Sequence, residues 1–108
     1  MQDTAAAQTA TTFAQTLSDH DGTAACALLT DHARSAIESF DRRCETTILA
    51  LPAPAGPPSG VEVWGQSAQV RFDGDVVFLA RFDDGWKIRA AGCTPGEGDS
   101  PYSCELEG

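Results

Sequence analysis

Basic side chains are scarce in this chain. Seven lysines and arginines stand against 16 aspartates and glutamates, a formal net charge of −9 in 108 residues. Nucleic acids and anionic membranes both require a basic surface, so neither is expected as a partner. The acidic excess is what a soluble surface carries. Long apolar runs are also missing: no stretch approaches the ~20 residues of a membrane-spanning helix. The opening Met1-Gln2-Asp3-Thr4 has neither the basic start nor the apolar core of a signal peptide. The two histidines, His20 and His32, are isolated, and no CxxC or HxxxH pair occurs, so a structural zinc site is not expected. Glu97 and Asp99 lack the ligand spacing of a calcium-binding EF-hand. The glycines fall in turns rather than in a phosphate-cradling loop, and no Ser/His/Asp or Cys/His arrangement is recognisable. Neither a cofactor nor a metal is therefore expected.

What the chain does contain is four cysteines, Cys26, Cys44, Cys93 and Cys104. Four cysteines allow three connectivities. Cys26–Cys44 with Cys93–Cys104 is favoured, because the first would tie neighbouring helices and the second would close the glycine- and proline-rich tail. Each bridge would contribute roughly 3 kcal/mol on the chain-entropy argument. Disulfides imply an oxidising compartment. The expected location is therefore extracytoplasmic, secreted or lipid-anchored at the cell surface, with an export leader removed ahead of residue 1.

A hydrophobic share of 42% and this length suit one globular domain spanning residues 1–108. Its helical half covers about residues 4–50. Ala6, Ala10, Phe13, Ala14 and Leu17 recur at helical spacing between Thr4 and Ser18, and His20-Asp21-Gly22 breaks that helix. A second helix is predicted from about Thr23 to Thr30. A third runs from Asp31 to about Leu49, interrupted near Ser39-Phe40-Asp41. Residues 51–60 contain four prolines and form a crossing that excludes helix or central strand.

Residues 61–108 then change character to valine- and phenylalanine-rich strands with a disulfide-closed tail. Strands are predicted at Val61–Trp64, Ala68–Phe72, Val76–Phe82 and Trp86–Ala91. Asp73-Gly74-Asp75 and Asp83-Asp84-Gly85 read as three-residue hairpin loops. Opposing Phe72 to Val76 and Phe82 to Trp86 places Ala68, Val70, Phe72, Val76, Phe78, Ala80, Phe82, Trp86, Ile88 and Ala90 on one face. That face would meet the helices. The other would carry Gln69, Arg71, Val77, Leu79, Arg81, Lys87, Arg89 and Ala91. The fold class is thus α+β: N-terminal helices packed on a curved antiparallel four-stranded meander.

Helices, then a proline-rich crossing, then an antiparallel meander resemble the cone-shaped fold of the nuclear-transport-factor-2-like superfamily. FAQTLSDHDGTAACALLTDHARSAIE, the later Cys44 and DGWKIRAAGCTPGEGDSPYSCELEG are similar to small exported proteins and lipoproteins of high-GC Gram-positive bacteria. The likeness covers roughly residues 10–108. It implies fold and export. The superfamily includes isomerases, dehydratases, polyketide cyclases and non-enzymatic accessory domains, and a fold does not choose among them.

Enzymes on the cone fold place a titratable acid or base inside the cavity, whereas the predicted inner sheet face here has none. His20-Asp21 and Asp31-His32 lie at helix boundaries, where caps and turns account for them. No catalytic residue is assigned. Trp64, Phe78, Phe82, Trp86 and Tyr102 are the candidate lining for a small apolar ligand. Arg71, Val77, Leu79, Arg81, Lys87 and Arg89 form a candidate interface with an apolar centre and a basic rim, suited to a protein partner or a homodimer. The expected function is that of a non-catalytic binding or accessory domain. The alternatives are an isomerase- or cyclase-type enzyme and a purely structural module.

Overall fold

The computed structural model describes residues 2–95 and 102–107. Helix α1 spans Gln2–Ser18 and buries the predicted stripe Ala6, Ala10, Phe13, Ala14 and Leu17. Its end explains His20. The His20 N–H donates to the Leu17 carbonyl and the Asp21 N–H to the Thr16 carbonyl, with His20 itself at φ 57°. This is a Schellman termination, so His20 serves as a helix cap.

Helix α2 (Gly22–Ala27) is capped by Asp21, whose carboxylate accepts from the Ala24 N–H. Helix α3 (Asp31–Glu38) is capped by the Thr30 hydroxyl, which accepts from the Ala33 N–H. Each cap satisfies one of the otherwise orphaned N–H groups of a first turn. The interruption expected near Phe40 is a 3₁₀ turn at Ser39–Asp41. Helix α4 (Cys44–Thr47) and a second 3₁₀ turn at Ile48–Ala50 follow. The Cys26–Cys44 bridge fastens α2 to α4. Gly22 is needed beside it, because a Cβ there would lie 1.8 Å from the Glu45 carbonyl oxygen.

The four expected strands are present, and a fifth is added. In order β1-β2-β3-β4-β5, the antiparallel sheet comprises β1 (Ala55–Trp64), β2 (Ser67–Asp73), β3 (Asp75–Phe82), β4 (Gly85–Pro95) and β5 (Tyr102–Glu107). β1 starts earlier than expected and runs through Pro57 and Pro58. It lies at the sheet edge, where a residue without an N–H is tolerated, and its pairing with β2 is irregular between Ala55 and Gly60. The Cys93–Cys104 bridge joins β4 to β5 across a directly paired position. Both favoured disulfides are thus present, but the tail holds a strand as well as a closed loop.

The register differs from the expected one by a residue at each hairpin. Phe72 pairs with Asp75 and Phe82 with Gly85, so the loops are Asp73-Gly74 and Asp83-Asp84. Gly74 supplies the left-handed conformation of the first, at φ 79°, as tight hairpins require. A one-residue change reverses every side chain of β3. Val77 and Leu79, 0% and 1% exposed, join the main core, whereas Phe78 and Ala80 face away. On β2, Ala68, Val70 and Phe72 point inward as expected. On β4, Trp86 and Ile88 do so too, until a bulge opposite Phe78/Leu79 puts Ala91 rather than Ala90 into the core.

The main core brings Phe13 and Leu17 of α1, Cys26, Ala33, Ile37, Cys44 and Ile48 against Val70, Leu79, Trp86, Ile88 and Leu106. Burying each of its large aliphatic or aromatic side chains contributes about 1.5–3 kcal/mol. The Trp86 indole N–H donates to the Gln2 side-chain oxygen at 3.1 Å, which satisfies its polar atom and anchors the start of α1 to the sheet. A second, small cluster of Val76, Ala90 and Cys93, with Phe78 and Cys104 packed against it, is separate from the main core.

Candidate interaction face

The pairings define what the outer face of the sheet, turned away from the helices, presents. Trp64 pairs with Ser67, Ser67 with Ala80, and Ala80 with Lys87. These four therefore lie in one row on one face. The next row holds Glu62, Gln69, Phe78 and Ala90. Phe82 shares the face by alternation along β3. Trp64 and Phe82 are the large apolar side chains that stand in solvent among the described residues, 51% and 52% exposed. Their position is a direct result of the observed register.

Positive charge accompanies them. Arg71 is paired with Glu62 at 2.9 Å, and Lys87 with Asp84 at 3.6 Å. The Lys87 ammonium also donates to the Ala27 carbonyl at 3.4 Å. Arg89 is exposed and forms no ion pair among the described residues. The two surface pairs contribute at most about 1 kcal/mol each, so they leave Arg71 and Lys87 able to exchange partners at little cost.

Along one border the face meets the α2–α3 connection. There β4 is covered by the chain itself: Leu29 forms a parallel bridge with Ile88. The Ile88 N–H donates to the Leu28 carbonyl and the Thr30 N–H to the Ile88 carbonyl. That pairing brings the first turn of α3 beside the outer face. Between them lies a cleft of about 310 Å³ lined by Thr30, Asp31, His32, Ala80, Phe82 and Arg89.

The residues predicted to act together are redistributed. Of the expected ligand lining, Trp86 is in the core, while Phe78, Trp64 and Phe82 lie on the opposite side of the sheet. Phe82 and Trp86 both border the hollow at the start of α1, whereas Trp64 and Phe78 do not line it, and the reversed register of β3 is what turns Phe78 and Phe82 away from the core. Tyr102 occupies the first position of β5, opposite Pro95, and its side chain lies outside the described residues, as do Glu97 and Asp99. Of the expected interface, Arg71, Lys87 and Arg89 keep the outer face. Val77 and Leu79 do not, since both are core. Arg81 pairs with Trp86 and lines a hollow with Gln2, Ala5 and Gln66 at the start of α1. The apolar part of the outer face is supplied instead by Trp64, Phe78, Ala80 and Phe82. Asp31, His32 and Ala80 were not assigned to any site from the sequence. The signal for Ala80 is its alternation with Phe82 under two-residue loops, and the signal for Asp31 and His32 is their adjacency, which a helix boundary accounts for in the sequence.

Among the described residues, no group of three or more His, Cys, Asp or Glu side chains is placed to hold a metal ion. No helix is long and apolar enough to cross a membrane, and both disulfides are formed with no free cysteine left. No family model, no curated protein and no solved structure matches the chain.

Proposed function

We propose that this domain is an exported, non-catalytic binding module that holds a protein partner against the outer face of its sheet. The observation that carries this reading is the placement of Trp64 and Phe82, both half exposed, on the face that also bears Lys87 and Arg89. Large aromatics surrounded by arginine and lysine are the composition of an interface centre and rim. Arg71 and Lys87 already have carboxylate partners on the face, so the charge a partner would meet is that of Arg89, and a partner that brings a carboxylate to it fits best. The two disulfides favour an oxidising compartment, which supports export. The order of helices followed by an antiparallel meander supports kinship with the cone-fold superfamily, here as an accessory domain.

Affinity capture from the extracellular fraction of the source cells tests this reading when it is run with variants. A partner retained by the native protein is expected to be lost with Phe82→Ser and with Arg89→Glu, and to survive Gln15→Ser on exposed α1. Its retention is expected to weaken as salt is raised. Capture that is indifferent to Phe82 and Arg89 would falsify the proposal. Concentration-dependent dimerisation abolished by Phe82→Ser would replace the foreign partner with a second copy.

A further inference from the structure

The cleft between the first turn of α3 and strands β3–β4 has features that a flat protein interface does not need. Its volume, about 310 Å³, is at the small end of the range of ligand pockets, roughly 300–1,000 Å³. Its apolar floor comes from Ala80 and the half-exposed ring of Phe82. Arg89 lies at its wall without an ion pair among the described residues, and a guanidinium in that state presents a planar set of donors suited to a carboxylate. Thr30 makes its back wall and is held rigidly: its N–H bonds to Ile88 and its hydroxyl caps α3. His32 completes the rim as an exposed ring.

We infer that this cleft binds a small monocarboxylic acid with one apolar or aromatic body, the carboxylate on Arg89 and the body over Ala80 and Phe82. The site needs no protein partner to form, but it shares Phe82 and Arg89 with the face described above, so ligand and partner would compete for them. Asp31 also lines the cleft. Its carboxylate opposes a second negative charge on the ligand, so dianions such as phosphate esters are disfavoured. The net charge of −9 acts over distances that salt screens beyond about 8–10 Å, whereas Arg89 acts at contact.

The test is a titration of the isotope-labelled native protein with 3-phenylpropionate and with its neutral analogue 3-phenylpropanol, followed by amide chemical shifts. A ligand of this size at ordinary efficiency reaches a dissociation constant on the order of 1 mM. The acid is expected to shift the amides of His32, Ala80, Phe82 and Arg89 saturably. The alcohol, and the acid with Arg89→Gln, are each expected to bind about 10-fold more weakly or worse, which is the loss of one charge-assisted contact. Arg89 is exposed, so the variant is expected to keep the native spectrum elsewhere. Equal binding of acid and alcohol, absence of saturation by the native protein at roughly ten times that concentration, or shifts scattered over other faces would overturn the inference. A native protein that ignores 3-phenylpropionate but takes an acetylated Asp-Phe dipeptide at the same residues would also overturn it, in favour of a protein segment. Either of those results leaves the capture experiment free to succeed or fail separately.

Discussion

The two faces of the sheet are built from nearly the same residue types and do opposite things. On the inner face, Val70, Val77, Leu79, Ile88 and Trp86 interlock with α1–α4 into one core. On the outer face, Val76, Phe78, Ala80 and Phe82 continue the same strand, yet only Val76 reaches full burial, within a small separate cluster. The difference is in what lies opposite. Helices cover one face, and the disulfide-linked end of β4 and β5 borders part of the other. Hydrophobic composition alone therefore does not distinguish a core strand face from a recognition face, and the covering layer decides.

The most forceful way to break this comparison is to place the same charge on each face of β3 in turn. Val77→Asp puts a carboxylate into the fully buried core, where it has neither water nor a partner. A loss above about 4 kcal/mol, and for a domain of this size an unfolded chain, is expected. Ala80→Asp on the outer face is expected to cost less than about 1 kcal/mol beyond its lost strand preference. Chemical denaturation of the two variants checks the pair. The reverse order of stabilities would restore the register with Val77 outside.

The two disulfides sharpen the comparison at a smaller scale. Their sequence separations of 18 and 11 residues give similar chain-entropy contributions, each roughly 3 kcal/mol. Their surroundings differ: Cys26 and Cys44 are in the main core, and Cys93 belongs to the outer cluster. Replacing Cys26 and Cys44 by alanine is expected to cost that entropic amount and, in addition, roughly 1 kcal/mol or more of packing. Replacing Cys93 and Cys104 is expected to loosen chiefly β5. Hydrogen exchange separates them. The first pair should raise exchange throughout the core amides, and the second should raise it mainly on β4 beyond Ala90 and on β5. Equal, global effects from both would show that the outer cluster is as integral as the core.

These faces also show what a sequence can and cannot carry. The stripe of α1 and the inward set Ala68, Val70 and Phe72 were legible because polar residues separate the apolar ones and leave one phase of alternation. β3 offers no such choice. Val76, Val77, Phe78, Leu79 and Ala80 are apolar in both phases, so the register depended entirely on hairpin length, and Asp73-Gly74-Asp75 accommodates a two- or a three-residue loop. The β4 bulges were illegible for a related reason. Ala90 and Ala91 are identical side chains, and only the partner strand determines which one enters the core. β5 was hidden by a tail rich in turn formers, in which the cysteine suggested a closed loop before a strand. The candidate site inherited the error of β3. Its cations Lys87 and Arg89 were assigned correctly to the outer face, while its apolar members were taken from the wrong phase.

The smallest expected effect discriminates most finely between a face that holds the fold and one that serves recognition. Phe82→Ser removes a large apolar side chain that is already half in water, at the end of β3 and beside the Asp83-Asp84 loop. If Phe82 served stability, its loss would resemble a core truncation, about 3–5 kcal/mol. It borders only the α3 cleft and the hollow at the start of α1 and stays half in solvent, so a change within about 0.5–1 kcal/mol is expected, measured as the denaturation midpoint at constant slope. Solubility should rise as the exposed apolar patch shrinks. The same substitution is expected to abolish partner capture and to weaken 3-phenylpropionate. A residue whose removal leaves the fold untouched yet removes binding is maintained by function. A residue whose removal unfolds the protein reports only on packing, and on this sheet Leu79 and Phe82, three positions apart on one strand, are expected to fall on opposite sides of that line.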